Sequence, residues 1–318
     1  MITRTLIVAL TLAAVAATPA AAATYVPSVA PSSGGQPLTA LDGTFVWVSG
    51  SYPEQTLTQR TPDGVVAPVA GAPSAIYRSI DLGHDDAGRL VLTYLRCSDE
   101  QHCAPYSDDL AGHRISYRRL VPKRCAITSV PARWGSRVAY GLRCDKLRGE
   151  PHRYDGSRSG LFTRKGAGAA RRLRLPKDAD EFVPLVDLHE TTVGAVATTY
   201  SNAFTQTVNG THLRSARVSD PAATNGFIVG MALGNGGRLW TVYIDIGLGS
   251  GPGPTLISRL GNTSCADSQR VPTFNSYGTR IPPSAMAVDG DTLYFSLEDD
   301  GPAAGIVVQP FAPTSVCP

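Results

Sequence analysis

The chain has 318 residues, and its 29 basic and 26 acidic side chains give a formal net charge of +3. This modest balance gives no reason to expect nucleic-acid binding, and beyond the N-terminus no apolar stretch is long enough to cross a bilayer. The 32 glycines and 24 prolines predict a chain rich in turns, with room for one large core or two domains.

Residues 1–23 have the pattern of a secretory signal peptide. Arg4 precedes an apolar run from Leu6 to about Ala17, and small residues follow up to Ala23, where an Ala-x-Ala cleavage site fits. The run is too short and too rich in alanine for a stable membrane span. We therefore expect the mature protein to be soluble, monomeric and secreted, either extracellular or periplasmic.

After an extended, proline-rich segment at residues 24–37, one unit of sequence recurs. In residues 79–97 a strand, a turn with Asp and Gly, and a second strand rich in β-branched and aromatic residues follow one another. Variants of the second strand begin at Thr44, Arg137, Thr192, Arg238 and Thr292. Long helical patterns are absent. Short strands that repeat about every 50 residues are typical of a β-propeller with about four strands in each blade.

We predict an all-β fold, a β-propeller over residues 38–318 with six blades of about four antiparallel strands. The predicted blades span residues 38–72, 76–122, 126–176, 182–220, 227–272 and 285–311. The last blade is one strand short, and residues 25–29 are a candidate to complete it from the N-terminus. Such a ring closure hides sheet edges that would otherwise pair with other chains. The spacing leaves the blade count open between five and seven.

Two motifs carry a family resemblance. The pattern Asp81-Leu82-Gly83-x-Asp85-x-x-Gly88-Arg89, continued by Val91, Tyr94, Arg96 and Cys97, resembles the repeat of TolB-type, WD40-like propellers of exported bacterial proteins. The segment at residues 131–140 is similar to the next blade of such proteins, whereas the Gly-His and Trp-Asp signature of true WD40 repeats is missing. The resemblance implies an architecture and not an activity, since propellers include binding modules and enzymes.

Six cysteines, an even number, fit the oxidising surroundings of an exported protein. They are Cys97, Cys103, Cys125, Cys144, Cys265 and Cys317, and none belongs to a Cys-x-x-Cys metal motif. We expect three disulfides. Chain order favours local pairs, although fifteen connectivities are compatible with six cysteines.

Motifs of familiar catalytic chemistry do not occur. The chain has no Gly-x-Ser-x-Gly nucleophile elbow, no His-Glu-x-x-His zinc motif, no Asp-box repeat and no phosphate-binding glycine loop before a helix. Its Asp-Gly pairs are interpreted as hairpin turns rather than calcium sites. The sequence therefore assigns no catalytic, cofactor-binding or metal-binding residue, and we expect no cofactor.

Four polar residues that lie close in sequence, Asp81, His84, Asp85 and Asp86, have two interpretations. They would form part of a polar ring at the mouth of a central channel, or an exposed loop. The exposed loop is favoured, because charged residues at turns are usually solvated.

Charge is unevenly distributed along the chain. Residues 113–177 contain 18 basic and three acidic side chains. A docking surface for an acidic polymer would use arginines from this segment, namely Arg118, Arg119, Arg124, Arg171, Arg172 and Arg174. The favoured alternative is that arginines on outer strands keep the protein soluble and block edge-to-edge pairing.

The expected function is that of a non-catalytic binding or scaffold module, with an anionic polymer or a protein as partner. The alternative is a lactonase-like enzyme, either a hydrolase or a lyase, with its site at the central channel. The channel lining distinguishes them. An enzyme needs inward-pointing acidic or histidine side chains with shifted pKa values, whereas a scaffold fills the channel with small and apolar residues.

Overall fold

In the computed structural model of the protein, the described residues are 23–25, 37–99, 102–117, 120–146, 154–177, 179, 182–197, 202–217, 226–245, 255–260, 266–271, 283–297 and 305–313. The fold is all-β, and no α-helix occurs within these ranges. Within them, no helix has the length and the hydrophobicity that crossing a membrane requires. The strands form antiparallel meanders that are described below as consecutive groups.

Three groups cover the chain up to residue 172. The N-terminal strand β1 (Ala23–Tyr25) precedes the first group, which is β2 (Leu38–Leu41), β3 (Thr44–Ser49), β4 (Thr56–Arg60) and β5 (Val66–Pro68). The second group is β6 (Ile76–His84), β7 (Leu90–Cys97), β8 (Cys103–Asp108) and β9 (Arg114–Ser116). The third group is β10 (Cys125–Ile127), β11 (Ala132–Trp134), β12 (Arg137–Cys144), β13 (Gly160–Lys165) and β14 (Arg171–Arg172).

Further groups follow in the same pattern. The fourth is β15 (Leu185–His189), β16 (Thr192–Ala197), β17 (Asn202–Thr207) and β18 (Arg214–Arg217). The fifth is β19 (Gly226–Gly234), β20 (Arg238–Asp245), β21 (Thr255–Leu260) and β22 (Ala266–Val271). The last group is β23 (Pro283–Asp289), β24 (Thr292–Leu297) and β25 (Gly305–Pro310), and β1 pairs antiparallel with β25 to make it a four-stranded sheet.

In the third group, β10 and β11 both pair with β12 and together take the place of the first strand, so β11 is counted as a first strand and β12 as a second strand below. The recurring unit of the sequence coincides with the second strand of each group. Strands β3, β12, β16, β20 and β24 begin at the residues that the repeat predicted, and β7 begins one residue later than the repeat pattern. In the first group, Asp42 and Gly43 both have positive φ, which is the geometry of a tight hairpin turn whose twist matches that of the flanking strands. Every residue of β3 is buried, as expected for a strand covered on both faces.

The first strands of neighbouring groups contact one another in a cyclic order. Strand β2 contacts β6, β6 contacts β11, β11 contacts β15, β15 contacts β19, β19 contacts β23, and β23 contacts β2. Between β6 and β11 the contact includes a parallel backbone pair of His84 with Trp134, so the second and third groups form one nine-stranded sheet. Between the last and first groups, the Gly43 N–H donates to Asp289 Oδ2 at 2.5 Å.

Hydrophobic clusters fill the spaces between neighbouring groups. One cluster joins the first and last groups, where the rings of Phe45 and Tyr294 have centroids 5.4 Å apart. Another joins the third and fourth groups and contains the fully buried Leu161 and Phe204. Each meander thus buries apolar side chains against the next one along the chain, which is how a sheet with two apolar faces is stabilised.

The second and the third group each contain one disulfide. Cys97 is bonded to Cys103 across β7 and β8, and Cys125 is bonded to Cys144 across β10 and β12. Both are pairs of cysteines that are neighbours in chain order. Cys265 and Cys317 lie outside the described residues, so complete oxidation of all six cysteines stays a prediction.

Gly83 is required where the second and third groups approach each other. A Cβ atom at this position would overlap the carbonyl oxygen of Arg133. We expect Gly83→Ala to lower the free energy of unfolding by about 3 kcal/mol, because the overlap is with rigid backbone rather than with a flexible side chain. Urea unfolding measures this change.

The matched control is Gly88→Asn in the turn of the same hairpin. Gly88 has a φ of +75°, a Cβ atom at this position would meet no other atom within 4 Å, and Asn tolerates positive φ. This variant should change stability by less than about 1 kcal/mol. Equal effects of the two substitutions would contradict the role assigned to Gly83.

Candidate functional site

The first strands of the groups surround a central cavity of about 180 Å³. Side chains from β2, β6, β11, β15, β19 and β23 all line it. Most of the lining is apolar, with residues such as Leu41, Ile80 and Met286. Two acidic residues, Asp81 on β6 and Asp187 on β15, interrupt this apolar wall, and the exposed Arg78 on β6 also lines the cavity. The lining of the cavity is therefore neither purely apolar, as expected for a scaffold, nor uniformly polar.

Asp187, in the fourth group, is hydrogen-bonded to the fifth group. Its Oδ2 accepts the backbone N–H of Leu233 at 2.5 Å, and its Oδ1 accepts the N–H of Leu188 at 2.6 Å. Burial raises the pKa of Asp187 to about 6, although these two hydrogen bonds favour the ionised form. Desolvation is the larger effect, so the carboxyl group titrates near neutral pH.

Asp81 is buried in the same cavity, with 9% of its surface exposed. Its carboxylate is hydrogen-bonded with the backbone of Arg133 and Leu82. Within the described part of the chain, its Oδ2 has no hydrogen-bond partner. Burial raises the pKa of Asp81 well above its usual value, and the nearby charge of Asp187 raises it further. Together the two carboxyl groups hold a proton to higher pH than isolated ones would.

A row of aromatic rings lies at the ends of the strands that carry these acids. The Trp134 ring lies between His84 and His189, with centroid distances of 4.6 Å and 4.3 Å. His84 Nε2 is 2.8 Å from Asp42 Oδ2. Burial lowers the pKa of His189, so this imidazole is neutral at physiological pH.

The arrangement has the chemistry of a cation-binding or proton-accepting site. A buried carboxylate oxygen without a partner is a strong acceptor, and an indole face attracts positive charge. Among the described residues, no group of three or more His, Cys, Asp or Glu side chains is placed to hold a metal ion. The groups that this site presents are two carboxyl groups and the rings of Trp134 and His189.

The exposed-loop interpretation of the cluster at residues 81–86 is wrong for two of its members. Asp81 lines the cavity, and His84 packs on Trp134 beside it. Asp85 does belong to the turn, where it accepts the N–H groups of Ala87 and Arg89.

Sequence reasoning missed Asp187 and His189. One signal was available, because Asp81 and Asp187 are both single acidic residues between apolar neighbours on the first strand of a repeat. An unexplained acid in a buried strand is a marker of function, but only the fold brings these two strands to the same cavity.

The arginines predicted as a docking surface are distributed over two edges of the third group. Arg171 and Arg172 form the outer strand β14, and Arg174 follows them; all three are exposed. Arg124 precedes β10, on the side of β12 opposite to β13 and β14. Arg118 and Arg119 lie outside the described residues. The docking role of these residues stays a prediction.

The raised pKa of Asp187 makes stability depend on pH. Because the pKa is about 6 in the folded state against 3.8 for the unperturbed group, the folded protein binds more protons than the unfolded chain between these values. The free energy of unfolding therefore falls as pH rises through that window. Relative to wild type, Asp187→Asn should gain up to about 3 kcal/mol between about pH 4 and pH 7.

Urea unfolding over this pH range measures the difference between the two proteins. The asparagine keeps an oxygen for the Leu233 N–H but loses the acceptor of the Leu188 N–H, which lowers stability by an amount that does not depend on pH. The pH-dependent part of the difference therefore reports the ionisation of Asp187. Asp63→Asn, at an exposed turn, is the control and should differ from wild type by a constant amount. A pH-independent difference for Asp187→Asn would contradict the assignment.

No protein-family model matches the chain, and no curated protein sequence does. Solved structures match over most of its length. The TM-score is 0.51 with a luciferin-regenerating enzyme, at 11% identity over 93% of this chain and 99% of that one. It is 0.50 with a streptogramin B lyase, at 12% identity over 91% and 96% of the two chains. It is also 0.50 with a putative TolB from Agrobacterium tumefaciens, at 12% identity over 87% and 90%. These are β-propeller proteins, and the chain shares their fold.

Proposed function

We propose that the protein is an exported, six-bladed β-propeller that binds a small ligand with a positively charged amino group in its central cavity. In this proposal it is a binding module and not an enzyme. The observation that carries the proposal is the buried Asp81 oxygen, which has no hydrogen-bond partner among the described residues and lies in the same cavity as Asp187.

The architecture supports one closed ring over residues 38–318. Each group of strands would be one blade, and the cyclic contacts of the first strands return from β23 to β2. The antiparallel pairing of β1 with β25 supports ring closure by the N-terminal segment. This strand begins at Ala23, the last residue of the predicted signal peptide at residues 1–23, and shares Tyr25 with the predicted closing segment at residues 25–29, whose other residues lie outside the described ones. Two disulfides support an oxidising compartment.

An ammonium group would satisfy the acidic pair. Leaving a buried carboxylate oxygen without a hydrogen bond is costly, and a charged N–H donor forms a strong bond to it. The ligand charge would also stabilise ionisation of both Asp81 and Asp187, which burial opposes. Binding and carboxyl ionisation are therefore coupled.

The rest of the cavity fits a small cation. Trp134 also lines the cavity, with its ring between those of His84 and His189. His189 is neutral because burial lowers its pKa, so it does not repel a cation. The cavity volume of about 180 Å³ is below the range of drug-sized ligand sites, so the ligand is a short amine or the amino end of a longer molecule.

The enzyme alternative is favoured by one observation. A carboxyl group whose pKa is about 6, as for Asp187, is suited to general-base catalysis near neutral pH. Two of the similar structures are called a lyase and a luciferin-regenerating enzyme. A hydrolase or lyase would convert its ligand, whereas a binding module returns the ligand unchanged after incubation.

Docking of an acidic polymer on the basic residues at positions 118, 119, 124, 171, 172 and 174 is a separate proposal. The net positive charge of residues 113–177 supports it. Unchanged salt-sensitive retention on a phosphated resin after charge reversal at these positions would contradict it. The alternative partner for the same surface is a protein.

Calorimetric titration with short primary amines, and with the corresponding alcohols as uncharged controls, tests the central site. We expect the amines to bind and the alcohols not to bind. Affinity for the amine should rise between about pH 5 and pH 8, because the carboxyl groups ionise while the amine stays protonated.

Variants give the second half of the test. Asp81→Asn and Asp187→Asn should each weaken amine binding about tenfold or more, because each removes a charge from the cavity. Asp63→Asn removes the same charge from an exposed turn and should leave affinity unchanged. Binding of the alcohols as tightly as the amines, or no effect of the two cavity variants, would overturn the proposal.

A further inference from the structure

A second concave site lies between the second and third groups of strands, outside the central cavity. It is a groove of about 290 Å³. Its polar lining residues are Asp86, Tyr117, Arg133, Ser136 and Arg164. Two arginines against one acidic residue give the groove a net positive lining, within the most basic segment of the chain.

Arg133 is held in place at the groove by two hydrogen bonds. Its Nε donates to the Gly135 carbonyl oxygen and its Nη1 to the Tyr117 hydroxyl oxygen, each at 3.1 Å. A guanidinium group has five N–H donors, so this anchoring leaves donors for a ligand. Because Tyr117 accepts the bond from Arg133, its own hydroxyl proton is free to be donated as well. The group is oriented before any ligand arrives.

Arg164 contributes a second guanidinium group to the groove. Its Nη2 donates to the Ala167 carbonyl oxygen at 3.1 Å. Its Nε is buried, and no described residue accepts a hydrogen bond from it. A buried donor without a partner destabilises the folded protein unless a ligand or water completes the bond. An anionic oxygen would complete it and would pair with the charge.

The other lining residues offer groups that suit a sugar ring. The Asp86 carboxylate can accept hydrogen bonds from sugar hydroxyl groups, and the Ser136 hydroxyl can accept or donate them. Ile115, Leu120 and Val138 supply apolar surface, and Ile115 is 52% exposed. A simple inorganic anion would use the arginines and leave both the apolar wall and the Asp86 carboxylate without a role.

We infer that this groove binds a negatively charged sugar residue, with its carboxylate or sulfate group held by Arg133 and Arg164 and its hydroxyl groups by Asp86 and Ser136. The fork of donors on each arginine matches the paired oxygens of either acidic group. The site is independent of the central cavity, and the basic surroundings steer an anionic glycan toward it.

Titration with three short oligosaccharides tests the ligand class. A galacturonate oligomer carries carboxylates, a sulfated galactose oligomer carries sulfates, and a plain galactose oligomer carries no charge. We expect binding of either or both anionic oligomers and at least about tenfold weaker binding of the uncharged one. Equal binding of all three, binding of none, or equally tight binding of inorganic sulfate would overturn the inference.

Three variants locate the site. Arg164→Gln keeps a polar side chain of similar length but removes the charge, and it should weaken binding about tenfold. Lys165→Gln removes the same charge from the adjacent, exposed residue on β13, which faces away from Arg164. This control should change affinity less than about twofold at physiological salt. Equal losses in the two variants would show a general charge effect and contradict the site.

Asp86→Asn and Asp187→Asn complete the design. Asp86→Asn should weaken binding of the sugars relative to binding of inorganic sulfate, because only the sugar has hydroxyl groups for the residue 86 carboxylate to accept hydrogen bonds from. Asp187→Asn changes the central cavity and should leave sugar binding unchanged, so failure of the amine proposal and failure of this one are distinguishable. Thermal midpoints of all variants verify that each protein is folded.

Discussion

The structure depends on how the first strands of the groups meet around the central cavity. Neighbouring first strands contact one another, but β6 and β11 share only a single parallel backbone pair. Backbone N–H groups buried at such a junction need partners. Side chains supply them: Thr39 Oγ1 accepts the N–H of Leu82 at 2.9 Å, and Asp187 accepts that of Leu233 at 2.5 Å. These polar side chains therefore link neighbouring groups through hydrogen bonds.

This constraint explains why acidic residues lie in a mostly apolar cavity. Asp187 has both oxygens in backbone hydrogen bonds, whereas Asp81 retains one oxygen without a partner among the described residues. The same desolvation that raises the pKa of Asp187 to about 6 makes the pair responsive to a bound charge. The structural role of these side chains and their proposed ligand-binding role thus coincide.

Charge is divided between the two candidate sites. The central cavity contains two buried carboxyl groups, neutral His189 and the exposed Arg78, whereas the groove between the second and third groups contains Arg133 and Arg164 against Asp86. The overall charge of +3 conceals this separation. Since a small cation and an anionic sugar require opposite surroundings, the two sites can be occupied independently. The fold accommodates both because each lies at a different junction between groups.

The sequence by itself determined the strands, because turn residues and alternating apolar residues act locally. The repeat placed the starts of β3, β12, β16, β20 and β24 at the correct residues, and chain order favoured the Cys97–Cys103 and Cys125–Cys144 bonds. Only the tertiary structure decided which polar residues are buried together. Asp81 and Asp187 are far apart in the chain, and they share a cavity because β6 and β15 both reach the centre. Their pKa values follow from that burial, which no local pattern specifies.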